Sequence, residues 1–167
     1  MSGIKVYEIG YMLEDIRVRF LKDIKLNIFD INIDAKQDDT NIIPRWLANI
    51  LREMKIVEIN KQDIGVELIR ALSREKISGN EQLTQLKPDF YIKIRSSFKD
   101  YEGDKNKLSI YLNDLIDARL WKILNLARST PLTVELEQKL TIEEKILFNA
   151  IYKAINEFKS VLKDVKE

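Results

Sequence analysis

Neither cysteine nor histidine occurs anywhere in the 167-residue sequence, and glycine and proline are scarce at five and three. Without cysteine the fold owes nothing to disulfides and carries no mark of an oxidising compartment. Without histidine there is no Ser-His-Asp triad, no Cys-His dyad and no ordinary zinc site, because histidine is the usual base near neutral pH and the commonest metal ligand. What remains open is carboxylate, lysine, tyrosine or Mg²⁺ chemistry. The glycines are scattered singly, so no glycine-rich loop exists to cradle a phosphate. Excess charge of one sign is also missing: 28 Lys plus Arg stand against 27 Asp plus Glu, which gives no general pull toward nucleic acid. No stretch approaches about 18 uninterrupted apolar residues, and the N-terminus lacks a basic region followed by an apolar run. A soluble chain in the cytoplasm, neither exported nor membrane-spanning, is therefore expected.

What is present is 45% hydrophobic and 33% charged residues, a composition that can bury a real core in one ordinary domain or two small ones. The first sixty residues differ in texture from the rest. From Arg17 to Ile33 apolar and polar residues alternate, with Val18, Phe20, Leu26 and Ile28 on even positions and Phe29, Ile31 and Ile33 on odd ones. A period of two predicts a hairpin or short meander, and the change of parity predicts a bulge or turn near Asn27. Residues 34–41 read as a polar loop. Pro44 then suits the first turn of a helix running to about Lys55, with Trp46, Leu47, Ile50, Leu51 and Met54 on one stripe and Trp46 anchoring the small core. Ile56–Ile59 reads as a closing strand. Residues 1–60 are thus expected to form a small β-rich, mixed α/β domain with one helix.

From Asp63 onward the period is helical. Asp63 suits an N-cap for a helix through Ile64, Leu68, Ile69 and Leu72, which Ser78-Gly79-Asn80 would stop. Pro88-Asp89 opens another through Tyr91, Ile94 and Phe98, Gly103-Asp104 punctuates, and a long helix spans about Lys105–Ala127 before Pro131. Thr141-Ile142-Glu143-Glu144 is a capping box for a last helix with a stripe of Leu147, Ile151, Ala154, Ile155, Phe158, Leu162 and Val165. Residues 61–167 are expected to pack as a bundle of four or five helices, making the whole an α+β fold that is mostly α.

Three clusters invite a chemical reading. Asp30-Ile31-Asn32-Ile33-Asp34, with Asp38 and Asp39 nearby, imitates the start of an EF-hand loop but has Ala35 where the turn needs glycine and Asn41 where a bidentate glutamate is needed. A strand with a wet acidic face explains it better. Asp114 with Asp117, on the middle of a helix, and Glu143 with Glu144, at the positive end of a helix dipole, do not make an acid/base pair. No catalytic residue, metal site or cofactor site is assigned.

The third cluster, Asn113–Arg128, is apolar around most of a helix. Leu112, Ile116, Leu120, Ile123 and Ala127 make one stripe, and Leu115, Trp121 and Leu124 extend beyond it. Such a helix is either central to its own bundle or part of a subunit interface. Its basic residues Lys105, Lys107, Arg119, Lys122 and Arg128 read as a solvated face. If Lys105, Lys107, Lys122 and Arg128 instead met nucleic acid, the chain would be a stand-alone binding module.

The run Asp114–Ile123, in which Arg119 is followed three residues later by Lys122 and then Ile123, resembles a helix of the GINS family of replication-helicase scaffold proteins. Leu140-Thr141-Ile142-Glu143-Glu144 is similar to the family's opening of the next helix. Asn41–Leu51, a polar loop followed by Pro44-Arg45-Trp46, resembles the start of the helix in the family's small β-rich domain. With its β-rich domain first, the chain resembles the archaeal class corresponding to the second and third eukaryotic subunits. The resemblance implies a non-catalytic, nucleoid-associated subunit in a heterotetramer with a helical-domain-first paralogue, two copies of each. It also implies attachment to the MCM helicase and a RecJ-like partner. Within that picture the expected interface residues are Leu115, Arg119, Trp121, Lys122, Leu124, Phe148, Ile151, Ile155 and Phe158.

Overall fold

The computed structural model describes residues 2–59 and 63–163. The chain divides into two compact units, Met1–Gln62 and Asp63–Glu167. The architecture is the expected one, mostly α, with a small β-sheet region before a helical bundle.

The first unit contains α1 (Ser2–Leu13), β1 (Asp15–Phe20), β2 (Ile24–Ile28), β3 (Ile31–Ala35), β4 (Thr40–Pro44), α2 (Arg45–Glu53) and β5 (Val57–Ile59). β1 lies between β4 and β5, antiparallel to both, while β2 and β3 form a separate hairpin. Alternation turns Val18 and Phe20 of β1 inward, where they meet Ile33, Ala35, Ile43, Leu47, Ala48, Leu51 and Val57. Trp46 packs against that cluster, partly buried. Of the stripe expected on α2, Leu47 and Leu51 are buried but Ile50 and Met54 are exposed; Ala48 takes the inward place.

Three details differ from the sequence reading. The parity change arises at the Phe29–Asp30 turn, since Asn27 keeps its place opposite Asn32 and Ile28 pairs with Ile31. The polar loop shrinks to residues 36–39, because Asp34 and Ala35 complete β3 and Thr40 and Asn41 open β4. Their polar side chains lie on exposed strand faces, which hydrophilicity alone does not distinguish from a loop. α1 was not foreseen, because its apolar residues do not gather on one clean stripe. Arg45 ties it down: the guanidinium lies 3.9 Å over the Tyr11 ring and donates to the Tyr11 carbonyl at 3.1 Å and the Glu14 carboxylate at 3.2 Å.

The second unit contains α3 (Ile64–Ile77), α4 (Phe90–Phe98), α5 (Lys105–Ser129), α6 (Val134–Lys139) and α7 (Ile142–Lys163). Each start that the sequence signals is capped as expected, except that Asp89 makes no side-chain cap bond to α4. Asp63 accepts from the amides of Gly65 and Val66 at 2.9 and 3.2 Å, and Asp104 accepts from the Lys107 amide at 3.0 Å. In the capping box Thr141 Oγ1 accepts from the Glu144 amide at 3.3 Å while Glu144 Oε2 accepts from the Thr141 amide at 2.9 Å. α3 stops where Gly79 adopts a φ of +78°, a conformation glycine reaches without a Cβ penalty. The short α6 fills the span after Pro131, and Thr133 caps it.

Two apolar clusters hold this unit. One joins Ile64, Leu68, Ala71 and Leu72 of α3 to Phe90 and Ile94 of α4 and Leu108 and Leu115 of α5. The other joins Ile123 and Ala127 of α5 to Leu83, Leu136, Leu140 and Phe148. The stripe expected on α7 is only partly inward: Phe148 is buried instead of Leu147, Ala154, Phe158 and Leu162 are exposed, and Val165 lies outside the described residues.

Replacing Asp63 by Ala removes an acceptor shared by two otherwise unpaired helix amides. Urea unfolding of the full chain is expected to show a loss of about 1 kcal/mol.

Candidate functional site

Between the two apolar clusters, α5 carries two cations into the interior. Arg119 and Lys122 are one turn apart on the face that also presents Leu115 and Ile123, and both are buried. α3 answers with Glu75, which sits on the stripe of Leu68, Ala71 and Leu72 and is 1% exposed. α7 answers with Glu144 from its capping box. Two cations and two anions make the cluster neutral overall.

Every donor of Arg119 is used. Nε and Nη2 clasp the Glu144 carboxylate at 2.6 and 2.8 Å, Nη1 donates to Glu75 Oε2 at 2.7 Å, and the remaining N–H groups reach the carbonyls of Thr84 at 2.9 Å and Lys139 at 3.0 Å. Lys122 Nζ lies within 2.6–3.0 Å of Glu75 Oε1, the Glu75 and Gln82 carbonyls and Ser78 Oγ. Glu75 Oε2 also accepts from the amide and hydroxyl of Thr84, and Tyr91 donates its hydroxyl to Glu144 Oε1 at 3.0 Å. The cluster therefore fastens α3, α4, α5 and α7, together with the segment linking α3 to α4, at one point.

Protonation follows from these contacts. Burial pushes the Glu75 carboxyl up, but hydrogen bonds from Lys122 and Thr84 and the charges of Arg119 and Lys122 outweigh it and hold the group below its ordinary value. Burial favours loss of the Arg119 charge, yet the Glu144 and Glu75 carboxylates raise its pKa. Burial, joined by the Glu144 charge, drives the Tyr91 phenol well above its usual range, so it stays a donor. With donors saturated and the Glu75 carboxyl held in its ionised form, the cluster offers no nucleophile and no open coordination position. It holds the bundle together.

The residues singled out by sequence separate into two groups. Leu115, Arg119, Lys122 and Phe148 are covered by this chain's own helices and present no surface to a partner. Trp121 is 70% exposed and Phe158 65%, while Leu124 is marginally exposed and Ile151 and Ile155 are half-buried. The expectation of a solvated basic face fails at Arg119 and Lys122, because Glu75 and Glu144 neutralise them inside. Ile116, placed on the inner stripe, is exposed instead. The proposed nucleic-acid set is not brought together: Lys122 is interior, Lys105 donates to the Lys99 carbonyl at 2.8 Å, Lys107 is 5.9 Å from the Tyr111 ring, and Arg128 is exposed near the far end of α5.

Several carboxylates elsewhere have ordinary partners, whereas Glu143 Oε2 is buried without a hydrogen-bond partner. Asp114 pairs with Lys76 at 3.2 Å, Asp34 with Lys25 at 3.3 Å, and Asp39 accepts from the Lys36 amide at 2.8 Å. Among the described residues no three metal-capable side chains converge, and no helix is long and apolar enough to cross a membrane.

Sequence reasoning missed Glu75. Its signal was present: a glutamate one turn beyond Leu72 on the apolar stripe of α3, matched by an arginine and a lysine on the apolar face of α5. Opposite charges on buried stripes of two helices predict each other.

Arg119→Met leaves Glu75 and Glu144 short of donors, so chemical denaturation is expected to show a loss of about 3–5 kcal/mol. Because the Glu75 carboxyl is depressed in the folded state, its contribution is complete above roughly pH 5 and is lost as pH falls through the folded value. Wild-type stability measured across that range is expected to fall more steeply with acid than that of Glu75→Gln.

Comparison with known families gives a family model, described as the Sld5 GINS complex protein helical bundle domain, that matches residues 46–163. No curated protein matches the sequence. The matched span is well over half of the chain and contains all four members of the charge cluster, together with α2 from Trp46 onward, β5 and the whole described bundle. Two of the three segments that carried the resemblance, around Arg119 and around Thr141–Glu144, are joined by the Arg119–Glu144 clasp. The chain belongs to the GINS family, whose subunits are non-catalytic scaffold proteins of DNA replication.

Proposed function

We propose that this chain is the β-domain-first GINS subunit of the archaeal class that corresponds to the second and third eukaryotic subunits. In this reading it assembles with a helical-domain-first paralogue as a heterotetramer, two copies of each. The tetramer links the MCM helicase to a RecJ-like partner at the replication fork, in the cytoplasm and on the nucleoid. Residues 61–167 serve assembly, and residues 1–60 serve contact with a further partner. The order of elements, β-rich region before helical bundle, supports the class.

The observation that carries the assembly role is the exposure of large apolar side chains on two helices that already have buried inner faces. Trp121 and Leu124 of α5 and Phe158 of α7 point outward while Ile123, Ala127 and Phe148 fill the core. An aromatic as large as Trp121 left in water is unfavourable for a lone chain and useful in an interface, where tryptophan is enriched among the residues that dominate binding. Ile151 and Ile155, half-buried on α7, extend the same candidate surface. The function needs no polarised nucleophile, only surfaces that bind one assembly state better than another.

Affinity capture of the tagged chain from nuclease-treated native lysate, followed by the native mass of the eluate, tests this reading. Equal recovery of a similar-sized paralogue, at a mass fitting two copies of each, is expected. A lone monomer that retains only nucleic acid when nuclease is omitted would overturn it.

Trp121→Ala is expected to weaken assembly by about 2 kcal/mol, while the melting temperature of the isolated chain stays close to that of wild type. A tetramer unchanged on nanomolar dilution would remove Trp121 from the interface.

A further inference from the structure

The tip of the β2–β3 hairpin is built against its own stability. Ile28 and Ile31 are paired, so Phe29 and Asp30 form a two-residue turn. The first turn residue, Phe29, has a φ of +50°. Two-residue hairpin turns place glycine or asparagine at positive φ, because a Cβ in the left-handed region crowds the neighbouring carbonyl. Phenylalanine is a poor occupant on backbone grounds.

It is no better on solvation grounds. Phe29 is 92% exposed, the most exposed of the large hydrophobic residues among those described, and it takes no part in the core that the hairpin helps to form. The hairpin's own burial is supplied by Ile33 and Ala35, with Ile24, Leu26, Ile28 and Ile31 packed beside them. Both the strain and the exposure fall on a side chain that does nothing for its own unit. Strain of this kind persists at binding positions, where the bound state recovers what the free state gives up.

The surroundings of the tip indicate what it meets. Asp30, beside Phe29, is exposed, and Lys25, the one cation on the two strands, lies 3.3 Å from Asp34. Asp30 and Asp34 against Lys25 leave the hairpin with a net negative charge, which disfavours base stacking on nucleic acid and insertion among anionic lipid headgroups. It suits a protein pocket that is apolar within and basic at the rim.

We infer that Phe29 is an anchor residue by which the hairpin tip docks into an apolar, basic-rimmed pocket on a partner protein, with Asp30 facing the rim. The inference rests on the reading that residues 1–60 serve contact with a further partner, and not on the assignment of the bundle to tetramer assembly.

The test compares the full wild-type chain with Phe29→Asn and Phe29→Tyr. Asparagine tolerates positive φ without glycine's extra freedom in the unfolded chain, so Phe29→Asn is expected to keep or raise the melting temperature. Quantitative recovery of proteins co-purifying with each tagged chain is expected to show one component reduced at least tenfold by Phe29→Asn, retained by Phe29→Tyr, and reduced by Asp30→Lys. The paralogue bound through the bundle should be recovered equally in every case. A lower melting temperature for Phe29→Asn would show that Phe29 supports the fold and would overturn the inference. So would an unchanged set of co-purifying proteins. A labelled single-stranded oligonucleotide should bind wild type and Phe29→Asn alike; binding lost only in the variant would overturn the assignment to a protein partner in favour of base stacking.

Discussion

Arg119 is the point on which the helical unit depends. A guanidinium in an apolar interior is tolerable only when each N–H has an acceptor and its charge is neutralised. Five acceptors come from Glu75, Thr84, Lys139 and Glu144, so the arginine can be satisfied only if α3, α5, α7, the connection that carries Thr84 and the end of α6 at Lys139 are all in position. Apolar packing alone tolerates sliding between helices. A buried, fully bonded arginine does not, because moving any one helix strands a charge. Lys122 adds a second fastening between α5 and the end of α3, and Tyr91 ties α4 to the same carboxylate that starts α7. The capping box thus has two functions: Glu144 closes the first turn of its own helix and receives the arginine of another.

Holding the bundle from within leaves its outer faces free of that duty. Trp121 stands next to Lys122 in sequence yet points outward, and Leu124 follows Ile123 in the same way. In a helix, neighbours in sequence are about 100° apart, so a single segment can carry an interior fastening and an exterior apolar patch. This arrangement suits a scaffold: the fold of the unit does not rely on the surface it offers. The β-rich unit has its own core around Phe20 and Leu47 and its own fastening, Arg45 against Tyr11 and Glu14.

Much of this was legible in the sequence because local rules decided it. Asp63 and Thr141 announced helix starts through side chains that accept from the following amides, and Ser78-Gly79 announced a stop through the left-handed conformation of glycine. The alternation that put Val18 and Phe20 inward was equally local. What could not be read depended on distant partners. Arg119 and Lys122 looked like surface cations because Glu75 is far away in sequence, and only folding brings it alongside. Strand ends near Asp34 and Thr40 looked like loop because the pairing that makes them strand is with Lys25 and Arg19. α1 lacked a clear stripe, and its anchor, Arg45, is again remote. The segments around Arg119 and Glu144 were each recognisable separately, but nothing in either one said that they touch.

The central claim is that one cooperative charge cluster specifies the bundle, and a double-mutant cycle on Arg119 and Glu144 tests it most directly. Arg119→Met, Glu144→Gln and the double variant would be unfolded in urea at pH 7. The account predicts strong non-additivity, with the double variant losing at least about 2 kcal/mol less than the sum of the single losses, since each single change leaves a buried charge without its partner. Additive losses would contradict it, showing that the two side chains contribute independently and that apolar packing alone sets the arrangement of the helices.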